Sequence, residues 1–435
     1  ETKFGMMKKL FLLLFFSITY RLKAQTDSTY TRDYIDKSTK FAWLTLGIEG
    51  FKEPGGKTSF LQNGVLQTAD FNGAFTPRLT IGGIHFWGHA DFYVTFPLNF
   101  ASVRNNPSDF ETLKFRQGVE TGARFYPLKL QEGRVSPFVG ISFNTFTFSQ
   151  EQSDLDFEEG TPNHRQVVAP LEAGLTYTSK KFHIMASAYF NSINCFSYSM
   201  TPEVYTPVEI NPMSFSLKLY RYIDTDRHYR KDNVLQQLNT MYSILEKEGK
   251  LSAWYWGIGP SAGIQMSKSS FIKNNHPYLN NDRFGGFMPD ISFGRFFAKP
   301  DMNIGISYRT MGDQLTAFDT KLQMRRHSVM LEAYKNIFNY LGFVPYGGIT
   351  ASAENLRADI NGVEYEETKA ALGIIAGWDI RVTKTGTSLL RTNLRWSPNL
   401  HLDIEGDKMM FDHLEFNFIQ YVHFIGRGKT YEIYR

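Results

Sequence analysis

The sequence predicts an all-β fold, a transmembrane antiparallel up-and-down β-barrel of about 14–16 strands with one amphipathic helix. Three observations predict this fold. Strand-length segments alternate apolar with polar residues, short and long connections alternate between the segments, and aromatic residues make up 15% of the chain. The 435 residues are 42% hydrophobic and 21% charged, which excludes general disorder.

Residues 1–24 have the pattern of a secretory signal peptide with a few residues upstream. Lys8 and Lys9 form a positive region, an apolar run too short to span a membrane follows, and Ala24 is a small residue before the expected cut. We therefore expect the mature chain outside the cytoplasm, with residues 25–40 as a periplasmic N-terminal segment. The single cysteine, Cys195, excludes an intramolecular disulfide.

Alternation is clearest in residues 113–126. Because successive side chains of a strand point to opposite faces, this segment has one apolar and one charged face. The apolar face holds Leu113, Phe115, Val119, Ala123 and Phe125, and the opposite face holds Lys114, Arg116, Glu120, Arg124 and Tyr126. The same division recurs along the chain and ends with an aromatic-rich segment at 414–424.

The connections between these segments alternate in length. Tight connections are expected at residues 86–89 and 178–181, and long loops at 51–76 and 150–165. Further long loops are expected at 193–209, 267–284, 312–321, 353–366 and 398–409. Short turns facing the periplasm and long loops facing outward are typical of outer-membrane barrels. A soluble β-sandwich remains the structural alternative, since it also alternates apolar and polar residues.

The barrel is predicted to span residues 41–425, with 426–435 as a C-terminal extension. Its inward face is expected to carry Lys114, Arg116, Glu120, Arg124, Glu172, Lys218, Asp290, Arg309, Glu332, Asp379, Arg391, Arg395 and Glu415. Two interpretations stay open. The arginines form a basic ladder that favours anions in a pore, or they pair with the acids and brace a closed interior.

A helical insertion is predicted at residues 226–249, on the periplasmic side. Asp232 is placed to cap it and Gly249 to end it. Its apolar residues at helical spacing are Val234, Leu238, Met241, Tyr242 and Leu245. They are candidates for docking a periplasmic partner or plugging the lumen, unless the helix packs on the barrel's own rim.

No catalytic motif, metal site or cofactor site is expected. The adjacent His327 and Ser328 point to opposite faces of a strand and cannot form a dyad. The acidic segment 151–159 lacks the spacing of a calcium loop. A net charge of +4 and the absence of a basic run give no reason to expect nucleic acid.

From about residue 41 to 425 the pattern resembles the integral outer-membrane β-barrel proteins of Gram-negative bacteria. The resemblance implies a place in the outer membrane, with lipid and lipopolysaccharide as surroundings and periplasmic or outer-membrane proteins as partners. It favours a porin-like passive channel for small polar or anionic solutes. The alternative is a non-conducting accessory or structural barrel of a larger outer-membrane assembly or secretion complex.

Overall fold

The computed structural model describes residues 42–62, 65–102, 113–150, 158–224, 240, 242–279, 284–339, 342–381 and 386–427. The predicted signal peptide, the predicted periplasmic segment and residues 428–435 lie outside the described residues. Most of the acidic segment 151–159 also lies outside them.

The first half of the described chain forms thirteen strands. They are β1 Trp43–Lys52, β2 Gly56–Gln62, β3 Val65–Phe71, β4 Phe75–His85, β5 Ala90–Pro97, β6 Lys114–Phe125, β7 Val135–Ser149, β8 His164–Val168, β9 Leu171–Thr178, β10 Phe182–Phe190, β11 Cys195–Ser199, β12 Tyr205–Ile210 and β13 Met213–Asp224. Eight of them close into an antiparallel ring in the order β1-β4-β5-β6-β7-β9-β10-β13, and β13 pairs back onto β1. Strand β8 comes before Pro170 and β9 after it, and both pair with β7 in one continuous line.

The described residues of the second half form ten further strands, one short helix and part of another. The strands are β14 Ala253–Gln265, β15 Phe284–Phe297, β16 Met302–Ala317, β17 Thr320–Asn336, β18 Phe343–Ile360, β19 Val363–Ile380, β20 Ser388–Trp396, β21 His401–Ile404, β22 Asp407–Met410 and β23 His413–Phe424. The helices are α1, described over residues 242–247, and α2, Ser270–Asn275. A second closed barrel has the order β14-β15-β16-β17-β18-β19-β20-β23.

The antiparallel up-and-down barrel fold is confirmed, but the sixteen barrel strands close as two rings of eight instead of one ring over 41–425. The first ring closes because β1 pairs with β13 over its whole length, Trp43 opposite Asp224 and Lys52 opposite Phe215. Residues 225–252, which include the insertion predicted at 226–249 within one barrel, connect the two barrels in the sequence.

Each barrel has a turn end, where connections of at most nine residues join the strands, and a loop end, where the hairpins β2–β3, β11–β12 and β21–β22 lie. The predicted loops at 51–76 and 193–209 fold into hairpins that share a four-stranded sheet, β11-β12-β2-β3. The predicted loops at 312–321 and 353–366 are instead strand, because β16–β17 and β18–β19 run on to two-residue turns at the loop end.

Large apolar side chains cover the outside of both barrels. Ile48, Leu217, Ile306, Ile349 and Leu372 are between 55% and 77% exposed. An apolar outer band over a polar interior is the inverse of a soluble protein and fits a lipid surrounding. The β-sandwich alternative is thereby excluded. No described helix is long and apolar enough to cross a membrane.

The two barrels pack side by side. Val94 on β5 and Phe418 on β23 point away from their own barrel interiors, yet they are only 6% and 8% exposed. They lie in one apolar cluster with Ala262 of β14. Toward the turn end, the ring of Phe92 lies 5.5 Å from that of Trp378. Outward-facing residues of the first barrel thus pack on outward-facing residues of the second.

The barrels also contact each other at the loop end. The backbone amide of Phe318, in the β16–β17 turn, donates to the Gly160 carbonyl at 2.6 Å, and the Glu159 amide donates to the Phe318 carbonyl at 2.7 Å. Arg165 of β8 pairs with Asp313 of β16 at 2.8 Å. The chain therefore joins its barrels by backbone and ionic contacts as well as by apolar ones.

The native cysteine can report which end faces outward. Cys195 is exposed at the loop end, in the β11–β12 hairpin. If the loop end is extracellular, a membrane-impermeant maleimide is expected to label intact cells as fully as lysed cells. A Cys195→Ser variant supplies the background. Labelling that appears only after lysis would place the loop end in the periplasm.

Candidate functional site

Three cations and four carboxylates fill the interior of the first barrel. They are Arg78, Arg124, Lys218, Glu49, Asp91, Glu120 and Glu172. Arg78 on β4 donates to Glu49 on β1 and to Glu120 on β6, each at 2.7 Å. The Tyr93 hydroxyl donates to Glu120 at 2.9 Å. The guanidinium of Arg78 thus holds one carboxylate on the adjacent strand β1 and one on β6, which is not adjacent.

A second group crosses the same interior. Arg124 on β6 pairs with Asp91 at 2.6 Å and with Glu172 of β9 at 2.8 Å, and its guanidinium lies 3.6 Å from the centre of the Tyr93 ring. Lys218 on β13 reaches the other oxygen of Glu172 at 2.7 Å. Pairs between strands that are not neighbours require a narrow ring, and an eight-stranded barrel is just wide enough for side chains to fill.

The second barrel holds four arginines and five carboxylates. They are Arg309, Arg326, Arg391, Arg395, Asp290, Glu332, Glu354, Asp379 and Glu415. Asp290 accepts from Arg309 at 2.8 Å and from Arg395 at 3.1 Å. Arg309 also bonds Glu415, and Arg395 bonds Glu332 at 2.6 Å. These bonds connect five strands, β15, β16, β17, β20 and β23, across the interior.

Each of the remaining two arginines makes a bidentate pair with one carboxylate, and Arg326 also bonds a second one. Arg326 donates to both oxygens of Glu354, at 2.8 and 3.0 Å, and pairs with Glu415 at 2.8 Å. Arg391 donates to both oxygens of Asp379, at 2.8 and 2.9 Å. Every one of the seven described interior cations therefore has a carboxylate partner.

Apolar clusters lie above and below each charged layer. At the loop end of the first barrel the cluster includes Phe71, Phe115, Phe146, Phe148, Phe196 and Tyr198, and at its turn end Trp43, Tyr126, Phe138, Met185 and Tyr220. The second barrel has Phe271, Leu315, Phe318, Leu322, Leu402 and Phe411 at the loop end, and Leu245, Tyr255, Phe296, Leu389 and Phe424 at the turn end. In each described interior the paired charges thus lie between two apolar clusters.

A small cavity remains where the charged layer of the first barrel meets its loop-end cluster. Its lining includes Gln117, Glu120, Asn144 and Tyr189, and its volume is about 30 Å³. That volume holds a water molecule or two. Each described interior also carries one more acid than base, which removes the basis for the anion selectivity that the basic ladder suggested.

Eleven of the thirteen charged positions predicted from the sequence to face inward lie buried in the interiors. They are Glu120, Arg124, Glu172, Lys218, Asp290, Arg309, Glu332, Asp379, Arg391, Arg395 and Glu415. Lys114 and Arg116 were wrong, because both are exposed on the outside of β6. The register of β6 on β7 shifts between Gln117 and Glu120. One extra residue there moves the preceding side chains to the opposite face.

Five interior charges escaped the sequence analysis: Glu49, Arg78, Asp91, Arg326 and Glu354. A signal existed for Arg78, which alternates with Thr76 and Thr80, all three buried on one face of β4. In β1, Glu49 shares its face with the aromatic Phe51, so its strand lacked a plainly polar side.

The predicted docking helix is described only in part. Val234, Leu238 and Met241 lie outside the described residues, and so does the proposed cap Asp232. Leu245 is 2% exposed within the turn-end cluster of the second barrel, and Tyr242 packs against that cluster. These two side chains therefore contact the protein's own rim.

The histidines take separate positions. His327 faces outward and bonds the Tyr308 hydroxyl at 3.1 Å, whereas Ser328 faces inward and donates to Glu354. His183 bonds Thr178 inside the first barrel. Among the described residues, no group of three or more His, Cys, Asp and Glu side chains could hold a metal ion.

Closed antiparallel rings with an apolar exterior and an ionic interior define the class, an integral outer-membrane β-barrel protein, here with two barrels in one chain. No protein-family model and no curated protein matches the sequence.

Several solved structures are distantly similar. The Neisserial surface protein A structure is 18% identical, with 40% of this chain and 97% of that chain covered and a TM-score of 0.29. The attachment invasion locus protein Ail of Yersinia pestis, in complex with the heparin analogue sucrose octasulfate, is 12% identical over 40% and 97%, with a TM-score of 0.27. An outer-membrane channel from Pseudomonas putida F1 is 10% identical over 90% and 100%, with a TM-score of 0.22. At such scores the likenesses say nothing about activity.

Proposed function

We propose that this protein is a non-conducting accessory barrel of a larger outer-membrane assembly. Its two closed barrels anchor the loop-end surface in the membrane. The observation that carries the proposal is the interior, where all seven cations of the two charged layers are paired with carboxylates and apolar clusters lie at both ends. The porin-like channel loses support, since a path for solutes needs a wider ring or an unfilled one.

The barrel surface supports a second part of this proposal. Because the outer band is apolar, we infer that lipid and, at the outer leaflet, lipopolysaccharide cover it. Protein partners then bind at the ends. The described part of the connecting helix packs on the second barrel, so the loop end offers the larger described surface for a partner.

Planar-bilayer recording tests whether the barrels conduct. We expect the purified full chain to give no current steps above a protein-free baseline in molar potassium chloride. The same preparation must show the heat-modifiable gel migration of a folded barrel, and an open porin serves as the positive control. Reproducible steps from folded protein would overturn the proposal. In that case Arg124→Gln in the interior should change ion selectivity, whereas Arg116→Gln on the outside should not.

Mild-detergent extraction tests the accessory role. We expect other outer-membrane proteins to co-purify at fixed stoichiometry with the full chain. A barrel that is silent in bilayers and always extracted alone would contradict an accessory role while leaving the closed interior intact.

A further inference from the structure

Strand β19 extends well past its neighbour at the loop end. It is 18 residues long, but β20 pairs only with its lower part, from Ile374 to Ile380. Residues 363–373 pair with β18 on one side, and among the described residues no strand pairs with them on the other. At about 3.3 Å per residue this open edge is roughly 35 Å long.

The neighbouring strand leaves the sheet for a local reason. Beyond Trp396 the chain continues through Ser397 and Pro398, which has no backbone N–H to donate, and Asn399 has φ +60°. The chain then turns over the barrel mouth as the hairpin β21–β22. This hairpin meets β19 through side chains, with Lys369 bonding Asp403 at 3.1 Å.

The turn between β18 and β19 fixes which backbone groups face the open edge. Asn361 and Gly362 have φ +51° and +87°, as in a two-residue type I′ turn, so the flanking residues Ile360 and Val363 bond each other. Alternate residues after Val363 therefore point their N–H and C=O groups away from β18. Those residues, all with exposed side chains, are Glu364, Glu366, Thr368 and Ala370, and the next one, Leu372, belongs to the apolar outer band.

The surroundings of the edge are acidic. Seven carboxylates lie along it or in the hairpin beside it: Asp359, Glu364, Glu366, Glu367, Asp403, Glu405 and Asp407. Three cations accompany them: Arg357, Lys369 and Lys408. A hydrogen bond from Asn355 and the pairing with Arg357 lower the pKa of Glu366, so its carboxylate stays charged at neutral pH.

We propose that this edge binds an extended, lysine- or arginine-rich segment of an extracellular protein, which adds to β19 as a further strand. Open edges recognise extended peptides through main-chain hydrogen bonds, and alternate side chains give specificity. The excess of carboxylates selects a basic partner. A second copy of this chain is disfavoured because it would bring the same carboxylates to the edge. The inference rests on the proposed accessory role and names the chemistry of its partner.

Residue-resolved amide hydrogen exchange on the full chain tests the proposal. The probe is a ten-residue peptide of alternating lysine and threonine, and its control replaces each lysine with glutamate. In the free protein we expect fast exchange at Glu366, Thr368 and Ala370 and slow exchange at the residues between them. The lysine peptide should slow the three edge amides at least tenfold, and the glutamate peptide should leave them unchanged.

A backbone variant separates strand addition from simple charge attraction. Thr368→Pro removes one edge donor without touching the β18 ladder and should weaken binding of the lysine peptide at least tenfold. The matched Thr368→Val variant keeps the donor and should bind like the parent.

Three results would overturn the proposal. They are edge amides already protected in the free protein, equal binding of the two peptides, and protection that rises with protein concentration alone, which would identify a second copy. These three results concern only the binding of a peptide at β19 and do not bear on whether the barrels conduct. Conversely, current steps in the bilayer recording would not change the outcome of the peptide experiment.

Discussion

Replacing Arg391 with leucine is expected to destabilise the protein by about 3–5 kcal/mol, the typical cost of removing one partner from a buried ion pair. Arg391 is 2% exposed and is the cation that holds both oxygens of Asp379. Its guanidinium also lies 5.2 Å from the ring centres of Tyr255 and Tyr334. Without it, the Asp379 carboxylate has lost its counter-charge in a sealed interior. Urea unfolding in lipid vesicles measures the change.

Two matched variants show that the cost comes from the stranded carboxylate. Adding Asp379→Leu to Arg391→Leu removes the unpaired charge and should recover more than half of the lost stability, because an apolar pair of similar volume is tolerated in such a position. Arg357→Leu breaks an exposed pair with Glu366 at the loop end and should change stability little, since surface pairs contribute little. Equal losses in Arg391→Leu and Arg357→Leu would contradict a sealed interior.

The class of fold was predictable because the lipid and the interior impose opposite demands on successive residues. Alternation identified the antiparallel barrel, and eleven of the thirteen charged positions were placed inside correctly. Alternation does not indicate which strand pairs with the last one. One ring of sixteen strands and two rings of eight place the same side chains inward, so the number of strands was predicted correctly but the way they close was not. The helical insertion predicted at 226–249 was the signal in the sequence that could have marked a boundary between two barrels.

The wrong assignments of Lys114 and Arg116 have a specific cause. The β6 bulge between Gln117 and Glu120 adds one residue, and nothing in the composition of the segment marks it. In β7 the apolar residues change face between Val139 and Phe146, a pattern that in the sequence resembles a bulge. The alternation of β7 is unbroken through this stretch. Its lower apolar residues face lipid and its upper ones enter the loop-end cluster, so the environment changes and the register does not.

The loops predicted at 312–321 and 353–366 were misread for a related reason. Above the lipid band the outward face of a strand meets water, while the inward face packs in the loop-end apolar cluster. Apolar and polar residues therefore exchange faces along the strand, which interrupts the period-two signal. In β18 the outward row changes from Ile349 to Asn355 and Arg357 within a few residues. In the sequence, the part of a strand that extends beyond the membrane with a polar outward face resembles a loop. The open edge of β19 lies in such a region, which is why it was visible only in the fold.

Side-by-side packing of the barrels predicts energetic coupling between residues far apart in sequence. Phe96 of β5 and Phe418 of β23 point outward from different barrels, and their ring centres are 6.4 Å apart. We expect Phe418→Ala to cost about 2–4 kcal/mol in urea unfolding, near the lower end for a buried phenylalanine because lipid can partly fill the space. A double-mutant cycle with Phe96→Ala should give a coupling energy of about 0.5–1.5 kcal/mol.

The control for that cycle is a phenylalanine of the first barrel that faces lipid. Phe215 on β13 is 54% exposed and lies outside the cluster that joins the barrels. Phe215→Ala and Phe418→Ala should be additive to within about 0.5 kcal/mol. Coupling in the Phe96 cycle but not in the Phe215 cycle would place the barrel contact at β5 and β23. Additivity in both cycles would mean that the barrels sit apart in the membrane, connected only through the chain between β13 and β14.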